Sequence, residues 1–111
     1  MSEGLDCEAA GGLWSLQNQL DDWANVRNLI KGSTAQAQLV KLVEEVGELA
    51  GGIAKHRPDV VRDSIGDCIV VLSILATQSG LELSDCVKCA WDEIKDRRGR
   101  MVDGMFIKEG D

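Results

Sequence analysis

A chain of 111 residues with 19 acidic against 12 basic side chains, formal charge -7, is one domain, small but long enough for a core. That charge repels DNA and RNA instead of tracking their phosphates, which excludes a nucleic acid polymer as partner. A hydrophobic share of 44% with 28% charged residues is ordinary for a globular chain and argues against disorder.

One proline, no tyrosine and few β-branched alternating runs favour an all-α fold. No run approaches the ~18 apolar residues of a membrane span, and no basic flank leads into an apolar stretch at the start. No membrane is therefore expected as partner, and a cytoplasmic location follows as the default.

Residues 1–12, polar and glycine-rich, read as a flexible leader to a domain over 13–111. The spacing then predicts a helix over 13–30 with Leu13, Leu16, Leu20 and Trp23 on a core face and Gln17, Gln19, Asp21 and Asp22 largely outside it. Trp14 lies off that face, able to stack on a base or to pack at an interface. Gly32 is a stop, and Ser33 with Gln36 reads as a capping box for the next helix.

In that helix Leu39, Leu42, Val43, Val46, Leu49, Ala50 and Ile53 recur at i, i+3, i+4, i+7, an amphipathic pattern. Glu44 and Glu48 lie far from the stripe and Glu45 at its edge. Glu45 and Glu48, one turn apart, can hold their carboxylates over a common spot. The competing reading is a solvated face, with Lys41 and Glu45 as an i, i+4 pair worth ~0.3 kcal/mol. Against it stand Gly47, Gly51 and Gly52, each costing about 1 kcal/mol relative to Ala inside a helix. Gly47 and Gly51 form a flat strip beside Glu44 and Glu48, suited to close approach of another backbone.

After a short turn over 55–59, with Pro58 in or beside the first turn of the next helix, residues 59–78 form a helix in which Ile65, Ile69, Val70, Val71, Leu72, Ile74, Leu75 and Ala76 go round the wheel. A helix apolar on every side is buried. Asp63 and Asp67 project on the side of Val70, Val71 and Ile74, and a bare buried carboxylate is prohibitively costly. No Lys or Arg occurs between Arg62 and Lys88, so local ion pairing is poorly supplied. A divalent cation shared with Glu45 and Glu48 resolves this, since hard cations prefer carboxylate oxygen. Capping of the helix start explains Asp63 alone, not the deeper Asp67.

Ser79 and Gly80 end that helix, and Ser84 is the expected N-cap of a fourth, over 85–98. Its Cys86, Cys89, Ala90, Trp91 and Ile94 are expected to face inward. Cys86 and Cys89 read as core thiols, because zinc needs about four ligands and Cys7, Cys68 and His56 stand at no matching spacing. His56 reads as a surface residue. Lys88, Lys95, Arg97, Arg98 and Arg100 either complement the helix dipole or bind phosphate. Gly99 breaks the helix, and the tail is extended, with a tight turn at Asp103 and Gly104.

With Glu44, Glu45, Val46, Gly47 and Glu48, then Ile65, Gly66 and Asp67, and the closing stretch over 94–108, the chain resembles the MazG-like nucleoside triphosphate pyrophosphohydrolases, an all-α superfamily, across about residues 13–109. The resemblance implies a bundle of about four helices with an extended C-terminal tail, completed as a homodimer or homotetramer. It also implies cleavage of (d)NTPs between the α and β phosphates with Mg²⁺, or Mn²⁺ in its place. By motif position Glu45, Glu48 and Asp67 take the metal-ligand role, with Glu44 in the same acidic motif. The family's usual Glu three residues before the buried Asp is here Ser64, and Asp63 is the candidate substitute ligand.

Charge considerations complete the reading. Glu44 or Glu45, whichever is not committed to metal, accepts the proton of the attacking water. Lys41, Lys95, Arg97 and Arg98 are candidates to offset charge on the pyrophosphate. The base is expected between the first helix and the bundle, read by Trp14, Gln17, Gln19 or Trp23. Rival readings are a non-catalytic helical interaction protein and a same-fold hydrolase of a nucleotide-sugar or alarmone.

Overall fold

The computed structural model describes residues 12–110, so the expected leader lies outside the described residues apart from Gly12. Four helices follow in order, α1 (Leu13–Val26), α2 (Ala35–Ala54), α3 (Pro58–Gln78) and α4 (Leu83–Ile94), then β1 (Gly99–Val102) and β2 (Met105–Lys108). The all-α architecture stands as expected, with a small hairpin where the extended tail was placed. No helix among the described residues is long and apolar enough to cross a membrane.

Local chemistry fixes most boundaries. α1 stops four residues earlier than its pattern suggested, because Asn28 takes φ 58° and the chain turns. Thr34, not Ser33, caps α2, its Oγ1 accepting from the Ala37 N–H at 3.0 Å; Ser33 Oγ instead accepts from Gln38 Nε2 at 3.0 Å. Pro58 occupies the first turn of α3 as expected, where its missing N–H costs nothing. α4 starts at Leu83, before the expected cap Ser84, because Leu83 is drawn into the core. Asp103 and Gly104 both hold positive φ, 51° and 80°. Two such residues make the two-residue turn that suits strand twist, pairing Val102 with Met105 and Gly99 with Lys108.

The α2–α3 antiparallel pair carries the most extensive packing, and its interior is not the predicted apolar stripe. On α2 the buried residues are Gln38, Glu45 and Gly52, seven apart, while Leu39, Val43, Val46 and Ile53 are exposed. α1 shows the same inversion: Gln17 and Ala24 are buried, whereas Leu13 and Trp23 stay exposed. What turns α1 is a hydrogen bond from Ser73 Oγ to Asp21 Oδ1 at 2.9 Å, made with a serine 1% exposed. α3 is not buried all round, since Ile65, Ile69 and Leu72 are exposed. On α4 the expected inward face is open too. Leu83 is its buried residue, Cys86 is half-buried, and Cys89, Ala90, Trp91 and Ile94 are exposed, because α4 meets the bundle through its first turn.

The core of the described residues is correspondingly slight: Ala24, Val71, Ile74, Ala76 and Leu83. A radius of gyration of 16.4 Å exceeds the ~13 Å of a compact domain of this length. Gly52 is where α2 and α3 come closest, as a Cβ there would lie 2.9 Å from Val60 Cγ1 and 3.2 Å from Val61 Cγ2. Both valines are stiff at χ1 and cannot yield cheaply. Gly52→Ala should therefore destabilise by about 1–3 kcal/mol in urea melts, whereas Gly47→Ala, with nothing within 4 Å, should gain up to ~1 kcal/mol.

Candidate active site

The close approach at Gly52 sets the register of the pair. Running back along α2 and forward along α3, it brings Glu45 opposite Asp67. Carboxylate oxygens of Glu45, Glu48 and Asp67 lie within 4.8 Å of one another. Glu45 is 5% exposed, Asp67 half-buried and Glu48 exposed. Lys41 Nζ reaches Glu45 Oε1 at 3.1 Å, so the predicted i, i+4 pair forms. It does not lie on a solvated face, however, because its acid is inside the seam. The second oxygen, Glu45 Oε2, is buried with no hydrogen-bond partner.

Electrostatic consequences follow directly. The Asp67 carboxyl titrates above its usual 3.8, first because it is desolvated, then because of the charges of Asp63 and Glu45, and further because its protonated form hydrogen-bonds to Glu45. The Lys41 ammonium is raised by its bond to Glu45 and by the charges of Glu45 and Glu44. Three crowded carboxylates, one of them with a buried oxygen lacking a partner, form a donor set that could hold a hard cation. The orphaned Glu45 Oε2 is the observation that fits such an ion, since an unpaired buried carboxylate oxygen is otherwise costly.

Two grooves flank the cluster. One, of about 730 Å³ between α1 and α3, is lined by Leu16, Gln17, Gln19, Leu20, Trp23 and Asp67 among others. The other, of about 610 Å³, runs past Glu44, Gly47, Glu48 and Gly51 to Lys55 and Arg57. The glycine strip is thus the open floor of a groove and not a covered contact in the single chain.

Other predicted residues fall elsewhere. Glu44 is exposed and outside the three-carboxylate group, as is Asp63, which acts on Asp67 by charge alone. Ser64 is buried, 2% exposed. Trp14 is exposed and does not line the first groove. Trp23 does, with the Arg27 guanidinium 4.4 Å over its ring. Lys95 pairs with Asp92 at 3.6 Å, while Arg97 and Arg98 line a separate hollow with Glu93, Asp96 and Lys108. Lys55 and Arg57 were missed: in sequence they mark only a turn, and it is the reversal after Ala54 that sets them beside Glu48.

The raised Asp67 carboxyl dictates a pH dependence for the metal-free protein. The folded state holds a proton that the unfolded state has released, so stability falls as pH rises from about 3.8 through the higher folded value. In urea melts with chelator, Asp67→Asn should flatten this fall and be more stable than the parent chain near neutral pH. Equal slopes for both would remove the Asp67 carboxyl as its cause.

Comparison with known proteins agrees with this geometry. Residues 33–101, which span α2, α3 and α4 and end within the first strand, match the family described as the MazG nucleotide pyrophosphohydrolase domain. A protein of Haemophilus phage HP1 (strain HP1c1), named as an uncharacterized 18.2 kDa protein in the rep-hol intergenic region, is 51% identical over 70 residues. That alignment covers 63% of this chain and 43% of the phage protein, so the chain spans less than half of its relative. No solved structure matches. With the family match covering α2 and α3, which hold all three clustered carboxylates, the chain belongs to the MazG nucleotide pyrophosphohydrolase domain family.

Proposed function

We propose that this chain is a Mg²⁺-dependent nucleoside triphosphate pyrophosphohydrolase that releases (d)NMP and pyrophosphate, serving to clear nucleotides from the pool. The observation that carries this reading is the Glu45, Glu48 and Asp67 cluster with its orphaned buried oxygen, set between two grooves. Those three residues would hold the ion, with Mn²⁺ as its substitute. When bound, the ion neutralises the triphosphate and lowers the pKa of a water.

The chain's own groups account for the rest. Lys41 fixes the Glu45 carboxylate through Oε1 and leaves Oε2 to the cluster. Glu44, outside the cluster but lining the same groove as Glu48, is better placed as general base than Glu45. It takes the proton of the attacking water as oxygen bonds to phosphorus and the bridging P–O bond breaks. Lys55 and Arg57 at the far end of that groove offset charge on the departing pyrophosphate. The base end of the nucleotide lies in the groove between α1 and α3.

The assembly is a homodimer or homotetramer. Leu39, Val43, Val46 and Ile53 on α2 and Ile65 and Leu72 on α3 are exposed at helical spacing, and exposed apolar surface on this scale supports an association site. Light scattering at micromolar concentration should show no monomer, and Val43→Lys should produce one. A monomeric parent chain would contradict the assembly.

Phosphorus NMR of a (d)NTP panel with Mg²⁺ should show nucleoside monophosphate and pyrophosphate. Asp67→Asn should lower turnover by more than the roughly 10–100-fold typical of losing a partner behind a metal ligand. It should also abolish the rise in melting temperature that Mg²⁺ gives the parent chain. Release of diphosphate and orthophosphate would overturn the cleavage position, and absence of hydrolysis with either ion the activity.

A further inference from the structure

The Glu45, Glu48 and Asp67 cluster is short of ligands for more than one ion. Among the described residues α3 supplies it with Asp67 and nothing else: Asp63 stands outside, and Ser64, one turn before Asp67, is buried and uncharged. A hard divalent ion takes about six oxygen ligands. Two such ions, ~3.5–4 Å apart, need an acid between them that gives one oxygen to each. Glu45, the buried member, is not free to do this, because its Oε1 is 3.1 Å from Lys41 Nζ and Oε2 is the oxygen left over. Nor does the ammonium step aside cheaply. The Glu45 side chain is 6% exposed, so withdrawing Nζ leaves a second oxygen of a buried carboxylate without a partner, at the full desolvation cost of a charged group.

We infer that Lys41 is a resident cation standing in for a second metal ion: the cluster takes one divalent ion, and the Lys41 ammonium supplies the other positive charge beside the phosphates. This rests on the hydrolase reading above and deepens it. Three carboxylates and one ammonium together carry -2 when all are ionised, which one divalent ion balances. An ammonium has three N–H donors and no acceptor; Glu45 takes one donor, and the others remain for phosphate oxygens. Lys41 is anchored for this by the helix itself, since it lies one turn before Glu45 on α2 and its contact with that acid holds it at the cluster.

The test counts and weighs Mn²⁺ by calorimetry in the absence of nucleotide, where the parent chain should bind a single ion. Lys41→Met keeps the reach of the side chain and removes its charge. Shown to be folded by its melting curve, it should bind Mn²⁺ about tenfold tighter or more, because a fixed positive charge no longer opposes the ion. Turnover of a (d)NTP should nevertheless fall about a hundredfold in kcat, the size expected when one preorganised charge is lost. Lys41→Arg, which keeps the charge, should stay within about threefold of the parent affinity for Mn²⁺. A lysine that only orients Glu45 predicts the opposite sign, weaker binding by Lys41→Met. Two ions on the parent chain, or a folded Lys41→Met with Mn²⁺ affinity unchanged or weaker, or with turnover unchanged, overturns the role of Lys41 and leaves the hydrolase standing. One ion, held more tightly by Lys41→Met, with no (d)NTP hydrolysed by the parent chain, overturns the hydrolase and leaves Lys41 as the second charge of the site. No Mn²⁺ on either chain overturns both.

Discussion

A carboxylate buried between two helices is the constraint on which the rest of the structure depends. Glu45 lies within the α2–α3 seam at 5% exposure, one oxygen on Lys41 and the other without a partner. A position of that kind normally takes a leucine, and burying an acid there without full compensation costs stability. Gly52 and Val60 set the register that makes this burial unavoidable, and the same register brings in Asp67 and Glu48. The site is therefore a property of how two helices are aligned and not of a loop laid over a scaffold.

The acidic seam has a consequence on the outside. Because Gln38, Glu45 and Gly52 face α3, the apolar residues of α2 face away from it. α1 repeats the arrangement, with Gln17, Asp21 and Ala24 turned towards α3 through the bond to Ser73 and its leucines left beside an open groove. A hydrogen bond to a charged group contributes about 1.5–3 kcal/mol, comparable to the burial of one leucine side chain. In α1 the face left over is a groove wall next to Asp67; in α2 it is exposed apolar surface. The C-terminal hairpin, exposed along both strands, belongs to the same economy, since an isolated hairpin is marginal in water.

Much of the local structure was legible. The positions of four helices, the proline at the start of α3, the stop at Gly80 and the turn at Asp103 and Gly104 all follow from residue types whose backbone preferences act over one to four residues. The acidic motif was legible as well: the glutamates one turn apart and the aspartate amid apolar residues that the sequence singles out are the three acids the fold brings together. Caps at Thr34 and Glu82 were misplaced by one and two residues, because competing polar residues adjoin them and the core pull on Leu83 decides.

The sequence by itself determined which segments are helices and which acids cannot be left alone, because propensity and charge act through near neighbours. Only the tertiary structure decided which face of each helix turns inward. Hydrophobic periodicity assumes that the most apolar face is the buried one, and here a glycine contact at Gly52 and a serine–aspartate bond between α3 and α1 outweigh it. It likewise decided which cations stand near the acids. Lys55 and Arg57 reach the Glu48 groove because the chain reverses after Ala54, whereas Arg97 and Arg98, in the most basic stretch, lie in a separate hollow. Such proximity comes from the register of packed helices, which one-dimensional spacing does not contain.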